Sequence, residues 1–497
     1  MKSLRPILAT VLPLAFSTVA CGSSPSPDAT SSTSQASSGS GPIVSLEVNG
    51  DRSALTPVRV VHASPDAPAV DVYVRGLSSP VLRGLAYGDT SSTLRFVDGT
   101  YTIDLRAAPS TSRDPIAYST GPLSVGGGKR ITAIAAGLLA SSDPASAFRV
   151  LPLVEGFANP GTGNAAVRVV HASPDAPTVG IDIGNDDPSS PEVPALARFA
   201  DTGGAGIALP SGAALQIGID GGGQRVTAFT TPELPAGGDL FVIATGLLAD
   251  LPREAAGFDL LAVGPDGTIG FIKQNPVVYA LHASPDAPAV DVFAGSSKIV
   301  TDLSFGQLSA PVQVPPGTYE LEFFGASSAT APTGTPAAKK SINGLEAGER
   351  YLSIATGFLA PQGEERGFEL FTRPEEFDLG DADGARVRAI HASPDAPAVD
   401  IGLAAGTTLS AVVFKDISFN QSSPVAGKSV PAAALDLGVA PTGSTSTVAT
   451  FDVTTTAGSR AFVVAAGALD PSRGQGFRLI AVETNATPWV AASVLPN

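Results

Sequence analysis

A single cysteine, Cys21, in a chain of 497 residues excludes any intramolecular disulfide and any cysteine-based metal site. Charged residues make up only 15% of the chain and sum to a formal net charge of −16, with no cluster of Lys and Arg. Neutralising a phosphate backbone needs such a cluster, so nucleic-acid binding is excluded from the expected functions. Long helix formers are sparse, and no helix-length window shows a convincing 3.6-residue apolar period. Gly, Pro, Val and Thr are abundant instead, which points to an all-β protein with many turns. Neither a G-x-S-x-G elbow nor a twelve-residue calcium loop occurs.

Histidine is almost as rare as cysteine, and its placement organises the chain. The four histidines His62, His171, His282 and His391 each open the same seven residues, HASPDAP, at intervals of 109, 111 and 109 residues. A self-similar period of this length marks tandem domains, each large enough to bury its own core. Further landmarks keep nearly fixed offsets. An apolar stretch ends in Gly137, Gly246, Gly357 or Gly467, at 75, 75, 75 and 76 residues past its histidine. Another begins at Phe148, Phe258, Phe368 or Phe477, at 86, 87, 86 and 86. Constant offsets confine insertions to loops, as a packed scaffold requires. The apolar glycine-ended stretches read as central strands, because both faces are apolar. In the first and third repeats, Leu85-Ala86-Tyr87-Gly88 matches Leu303-Ser304-Phe305-Gly306; the middles of the second and fourth diverge. About seven short strands per unit, with turns every 8–12 residues, predict four tandem immunoglobulin-like β-sandwiches, with an open barrel as the alternative. The expected repeats are 53–160, 161–273, 274–378 and 379–497, joined by short linkers into a semi-rigid rod of independent domains.

The N-terminus accounts for the lone cysteine. Lys2 and Arg5 precede a short apolar stretch, and Ser17 to Ala20 supply small residues up to Cys21. The apolar stretch is too short to span a bilayer and reads as a secretory signal over 1–20. It resembles a bacterial lipoprotein signal, in which the cysteine thiol is acylated and becomes the mature N-terminus. Thr18 stands where leucine is usual in such signals. Residues 21–52, rich in Ser, Gly and Pro, are expected to form a disordered tether reaching about 30 Å on average. The implied protein is exported and held at the cell envelope through acylated Cys21, facing the periplasm or the exterior.

The motif itself admits three chemistries. Val58, Val60 and His62 share one face of a strand, so the histidine ends a core-facing row; Arg59, Arg168 and Arg388 lie on the other face. The first reading is structural: each histidine bonds the turn backbone or the adjacent Asp66, Asp175, Asp286 or Asp395 and staples two strands. The second is a metal site from His62, Asp66 and Asp71 and their counterparts, a thin ligand set that repeat two breaks with Gly180 in place of the second Asp. The third is a Ser-His-Asp arrangement from His62, Ser64 and Asp66, which five consecutive residues around a proline turn hardly allow. The structural reading is preferred, with no catalytic residue, metal or cofactor expected. Trp489 either caps the last core or lies in an exposed contact.

The strings VRVVHASPDAPAVDVYV, VRVVHASPDAP, VVYALHASPDAP and VRAIHASPDAP resemble the signature of the bacterial family known as domain of unknown function 4397. That resemblance covers all four repeats. It implies an exported or surface protein with an immunoglobulin-like sandwich fold, and implies no activity. Scaffolding, adhesion, or binding of a cell-surface protein or glycan is the expected role, with an extracytoplasmic ligand- or metal-binding protein or hydrolase as the alternative.

Overall fold

The computed structural model describes residues 43–44, 55–327, 329–379 and 383–497. The signal 1–20, Cys21 and all of the tether except Ile43–Val44 lie outside the described residues. Among the described residues the architecture is all-β, with one short 3-10 turn at Pro471–Arg473. Each repeat folds as two main sheets around a core of its own, and repeat one adds a two-stranded ribbon of Gly99–Tyr101 and Leu123–Val125.

The motif strands are Leu55–His62, Asn164–His171, Val277–His282 and Gly384–His391. Each pairs in parallel with the glycine strand of its own repeat: Ile131–Ala136, Asp239–Thr245, Arg350–Thr356 or Arg460–Ala466. The glycine strand pairs on its other side, antiparallel, with a phenylalanine strand: Arg149–Val154, Asp259–Gly264, Glu369–Pro374 or Arg478–Glu483. It is therefore internal in every front sheet. The back sheet of repeat one runs Leu82–Leu85, Val70–Val74, Ile103–Ala107, Tyr118–Ser119, and the other repeats keep this order. Ile43–Val44, inside the stretch assigned to the tether, pairs in parallel with Arg95 and Phe96, so the first sheet recruits chain from before residue 53. The two adjacent β-branched residues suit strand geometry better than the Ser-rich run before them.

The expected independence of the repeats is corrected by the outer faces of the front sheets. Val61, Ala63, Ile134 and Ala136 of repeat one form a single buried cluster with Val170, Ala172, Phe241, Ile243, Leu261 and Val263 of repeat two. Tyr279, Leu281, Leu352 and Ile354 of repeat three likewise join Ile390, Phe462, Val464 and Ile480 of repeat four. The motif and glycine strands thus bury one face in their own sandwich and the other in a neighbouring repeat. This explains a strand composition without polar alternation. The four repeats form two sandwich pairs, and residues 41–497 make one compact unit.

The arginines opposite the histidine row lie inside these pairing faces. Arg59 is 3% exposed, bonds Thr132 Oγ1 at 2.8 Å and pairs with Glu155 at 3.1 Å. Arg168 pairs with Asp201 and bonds the Val154 carbonyl, both at 2.8 Å. Both guanidinium groups lie 5.7 Å from the Phe241 ring centre. Arg388 lies 5.0 Å from the Phe462 ring and bonds the carbonyl oxygens of Pro374 and Glu375. Repeat three carries Tyr279 at this position, and there the lone tryptophan supplies the cover: Trp489 is buried and stacks on Tyr279, with ring centres 4.3 Å apart and planes 9° apart. Polar residues join the two pairs. Gln313 Nε2 donates to Thr227 Oγ1 at 3.1 Å, and Arg253 bonds the Phe377 carbonyl at 2.7 Å.

Not all of the interior is filled. Apolar cavities of about 80 Å³, 60 Å³ and 80 Å³ lie between the sheets of repeats one, three and four. Space of this size costs about 1–2 kcal/mol per domain in lost packing.

Candidate functional site

The HASPDAP segment leaves the motif strand, turns at Pro and returns into the back sheet, and each polar side chain in it meets backbone. The histidine Nε2 approaches the carbonyl oxygen six residues on: Pro68 at 3.2 Å, Pro177 at 2.8 Å, Pro288 at 3.0 Å and Pro397 at 2.8 Å. A carbonyl only accepts, so Nε2 carries the proton. Nδ1 is then an acceptor, and in two repeats it receives the amide of the motif serine, Ser64 at 3.4 Å and Ser393 at 3.3 Å. The serine hydroxyl donates to the carbonyl of the landmark glycine: Ser64 to Gly137 at 2.6 Å, Ser173 to Gly246 at 2.8 Å, Ser284 to Gly357 and Ser393 to Gly467 at 2.6 Å.

The aspartate grips the turn after that glycine with both oxygens. Asp66 accepts from the Leu139 and Ala140 amides at 2.8 and 2.9 Å, and Asp175 from Leu248 and Ala249 at the same distances. Asp286 holds Leu359 and Ala360, and Asp395 holds Leu469 and Asp470. Charge-assisted bonds of this kind are roughly twice as strong as neutral ones. Serine and aspartate thus close a loop 73 to 75 residues away in sequence, while the histidine holds the returning chain six residues on.

The glycine is fixed by the same closure. Gly137, Gly246, Gly357 and Gly467 have φ of +84°, +80°, +78° and +89°, and a Cβ at Gly246 would lie 2.1 Å from the Gly257 carbonyl oxygen. Both the backbone region and the space exclude a side chain. Gly246→Ala is expected to cost at least about 2–3 kcal/mol, to be read as a drop in the urea midpoint at unchanged slope.

Each imidazole is at most 1% exposed, and burial holds all four pKa values below the usual imidazole value, so the rings are neutral at pH 7. An aromatic turn covers the histidine edge. His62, His282 and His391 meet Tyr87, Phe305 and Phe419 at 6.3, 6.1 and 6.3 Å between ring centres. Gly88, Phe199, Gly306 and Asn420 amides bond the histidine carbonyls at 2.7–2.8 Å. Sequence reading matched this turn in repeats one and three only, because its offset from the histidine varies. Phe419-Asn420 was the available signal in repeat four, whereas repeat two has Arg198-Phe199 at these positions, with the aromatic one residue later. These turns also reach the paired repeat: Tyr87 lies 5.3 Å from the Phe271 ring, and Arg149 caps Phe199 at 4.0 Å.

The second aspartate goes to other backbone. Asp71 accepts from the Gly84 amide at 2.8 Å and from the Ser110 amide and hydroxyl at 2.7 and 2.8 Å. Burial alone would raise its pKa; the bonds from Ser110 and Gly84 outweigh it and hold the carboxyl below its usual range. Asp291 and Asp400 bind the Asp302 and Asp416 amides. In repeat two, Gly180 faces Asp220 across the ladder, so a carboxylate sits on the partner strand, beside Asp182 and Arg225.

This geometry does not assemble a triad, because the histidine Nε2 faces the proline carbonyl in every repeat and the serine hydroxyl donates to the glycine carbonyl, not to the imidazole. Nor do the imidazole and two carboxylates converge. Among the described residues, no three of His, Cys, Asp and Glu stand where they could hold a metal ion.

The sequence profile described as domain of unknown function (DUF4397) matches residues 56–182, 276–402 and 385–494. The chain belongs to the DUF4397 family. No curated protein matches the chain. The first two DUF4397 matches start in or one residue before a motif strand and end in the strand after the next motif, at Asp182 and Gly402. In both, the matched segment therefore runs across a pairing face, from repeat one into repeat two and from repeat three into repeat four. The tandem DUF4397 repeats constitute a β-sandwich scaffold.

Proposed function

We propose that the chain is a non-enzymatic lipoprotein of the bacterial cell envelope, anchored through an acylated Cys21, that presents two sandwich pairs to a cell-surface protein or glycan. The observation that carries this reading is the use made of HASPDAP. Its histidine, serine and aspartate are all bound to backbone, in four copies, and serve as a fastener. Recognition then falls to the loops and outer surfaces. The sequence around Cys21 supports the anchor: a positive n-region, a short apolar stretch, small residues, then the chain's one cysteine. Cys21→Ser is expected to move the protein from the membrane fraction to the soluble extract and to abolish palmitate labelling. Persistence in the membrane fraction without label would exclude the acyl anchor.

A further inference from the structure

We propose that the sandwich interiors of repeats one, three and four are binding sites for the hydrocarbon end of an amphiphile. Cavities recur at the same level of the fold, between the front and back sheets, in three repeats, of which the fourth diverges from the first and third in its middle. Small residues of the front sheet create the space: Ala133 and Ala135 in repeat one, Ala280 and Ala355 in repeat three, Ala385 and Ala461 in repeat four. In repeat one it borders two clusters that share Val81, Leu82 and Ile103 as packing neighbours. Val58, Leu94, Phe96 and Ile131 belong to one buried cluster, and Val70, Val72, Leu105 and Ala135 to another.

The lining defines the ligand. In repeat one it is apolar apart from Ser124 and the Tyr101 hydroxyl, and that hydroxyl already donates to the Val97 carbonyl at 2.6 Å. A polar group drawn into the interior would lose its hydrogen bonds to water without replacement. A space of about 80 Å³ is roughly half the 150 Å³ cavity that accepts benzene. It therefore favours a narrow alkyl end over a ring. Access lies along the sandwich edge: exposed Pro152 and Ser124 line the space in repeat one, and exposed Thr454 and Glu483 in repeat four. There a polar head can stay in water, and Glu483 disfavours an anionic head in repeat four. A free amphiphile and a bilayer lipid share this chemistry.

The test uses the whole mature chain carrying Cys21→Ser, which has no acyl group of its own, with valine and leucine methyls observed by NMR. Titration with 1-octanol is expected to shift Val72, Val292 and Val463 saturably while surface methyls stay fixed. Ala135→Leu is expected to weaken the response of repeat one at least tenfold and leave repeats three and four unchanged; Ala135→Val provides a milder filling should the leucine unfold the repeat. Vesicles of phosphatidylethanolamine and phosphatidylglycerol then separate the sources. Binding that needs an unfilled interior identifies bilayer lipid, and a response to octanol alone identifies a free amphiphile. Interior methyls that do not move at saturating octanol, or that move equally in folded filled variants, overturn the proposal.

Discussion

Phe241→Ala is expected to loosen repeats one and two together by about 4 kcal/mol and to leave repeats three and four nearly unchanged. Phe241 is fully buried, meets Phe157 edge-to-face at 5.3 Å, and belongs to the cluster shared by repeats one and two. Truncating such a ring removes its transfer energy and leaves a cavity. It also strips one aromatic face from two buried guanidiniums, Arg59 and Arg168, which come from different repeats. A buried cation that loses a partner is costly, so the loss extends to both sides of the pairing face. Hydrogen exchange read by segment should show faster exchange in 131–136 and 239–245 alike. Faster exchange in 239–245 alone would mean that the shared cluster does not couple the repeats. The pair of repeats three and four is joined to the first through polar contacts such as Gln313 with Thr227 and so serves as an internal reference.

Mild acid is expected to destabilise the chain, with stability falling from about pH 6.5 downward. The four imidazoles have folded pKa values below the unfolded value near 6.5, chiefly through burial. Above pH 6.5 both states are neutral and the full contribution is present. As the pH falls, the unfolded chain takes up protons that the folded chain refuses, and stability is lost toward the folded pKa. The limit is about 1.4 kcal/mol per pH unit for each histidine, hence about 2.7 for one sandwich pair unfolding as a unit. Asp259 acts in the opposite sense. Burial pushes it up to about 6 despite Lys273, so between about pH 6 and 4 the folded state holds its proton and regains part of the loss in the first pair. Urea midpoints at pH 7.5 and 5.0 decide the matter. A first pair less acid-labile than the second is the expected pattern, and His391→Gln should roughly halve the pH dependence of the second. Equal midpoints at both pH values would mean that the rings take up protons without loss of fold.

The repeat period, the β class, the position of each histidine at the end of an inward row and the apolar character of the glycine strands on both faces were legible in the sequence. All are consequences of local pattern: strand side chains alternate, and a packed scaffold fixes the distance between landmarks. Membership in the DUF4397 family was legible for the same reason, since the motif is contiguous. What occupies the second apolar face was not. The strings ITAIAAG and FVIATG read alike whether that face meets a third layer of the same domain or another repeat. Only the tertiary structure pairs repeat one with two and three with four, and places Arg59, Arg168 and Arg388 inside the pairing faces. The partner of Asp66 was hidden in the same way, because two backbone amides 73 and 74 residues on carry no side-chain signature. Sequence determines which residues must be buried; which surface buries them depends on contacts between distant segments, and these exist only once the chain has folded.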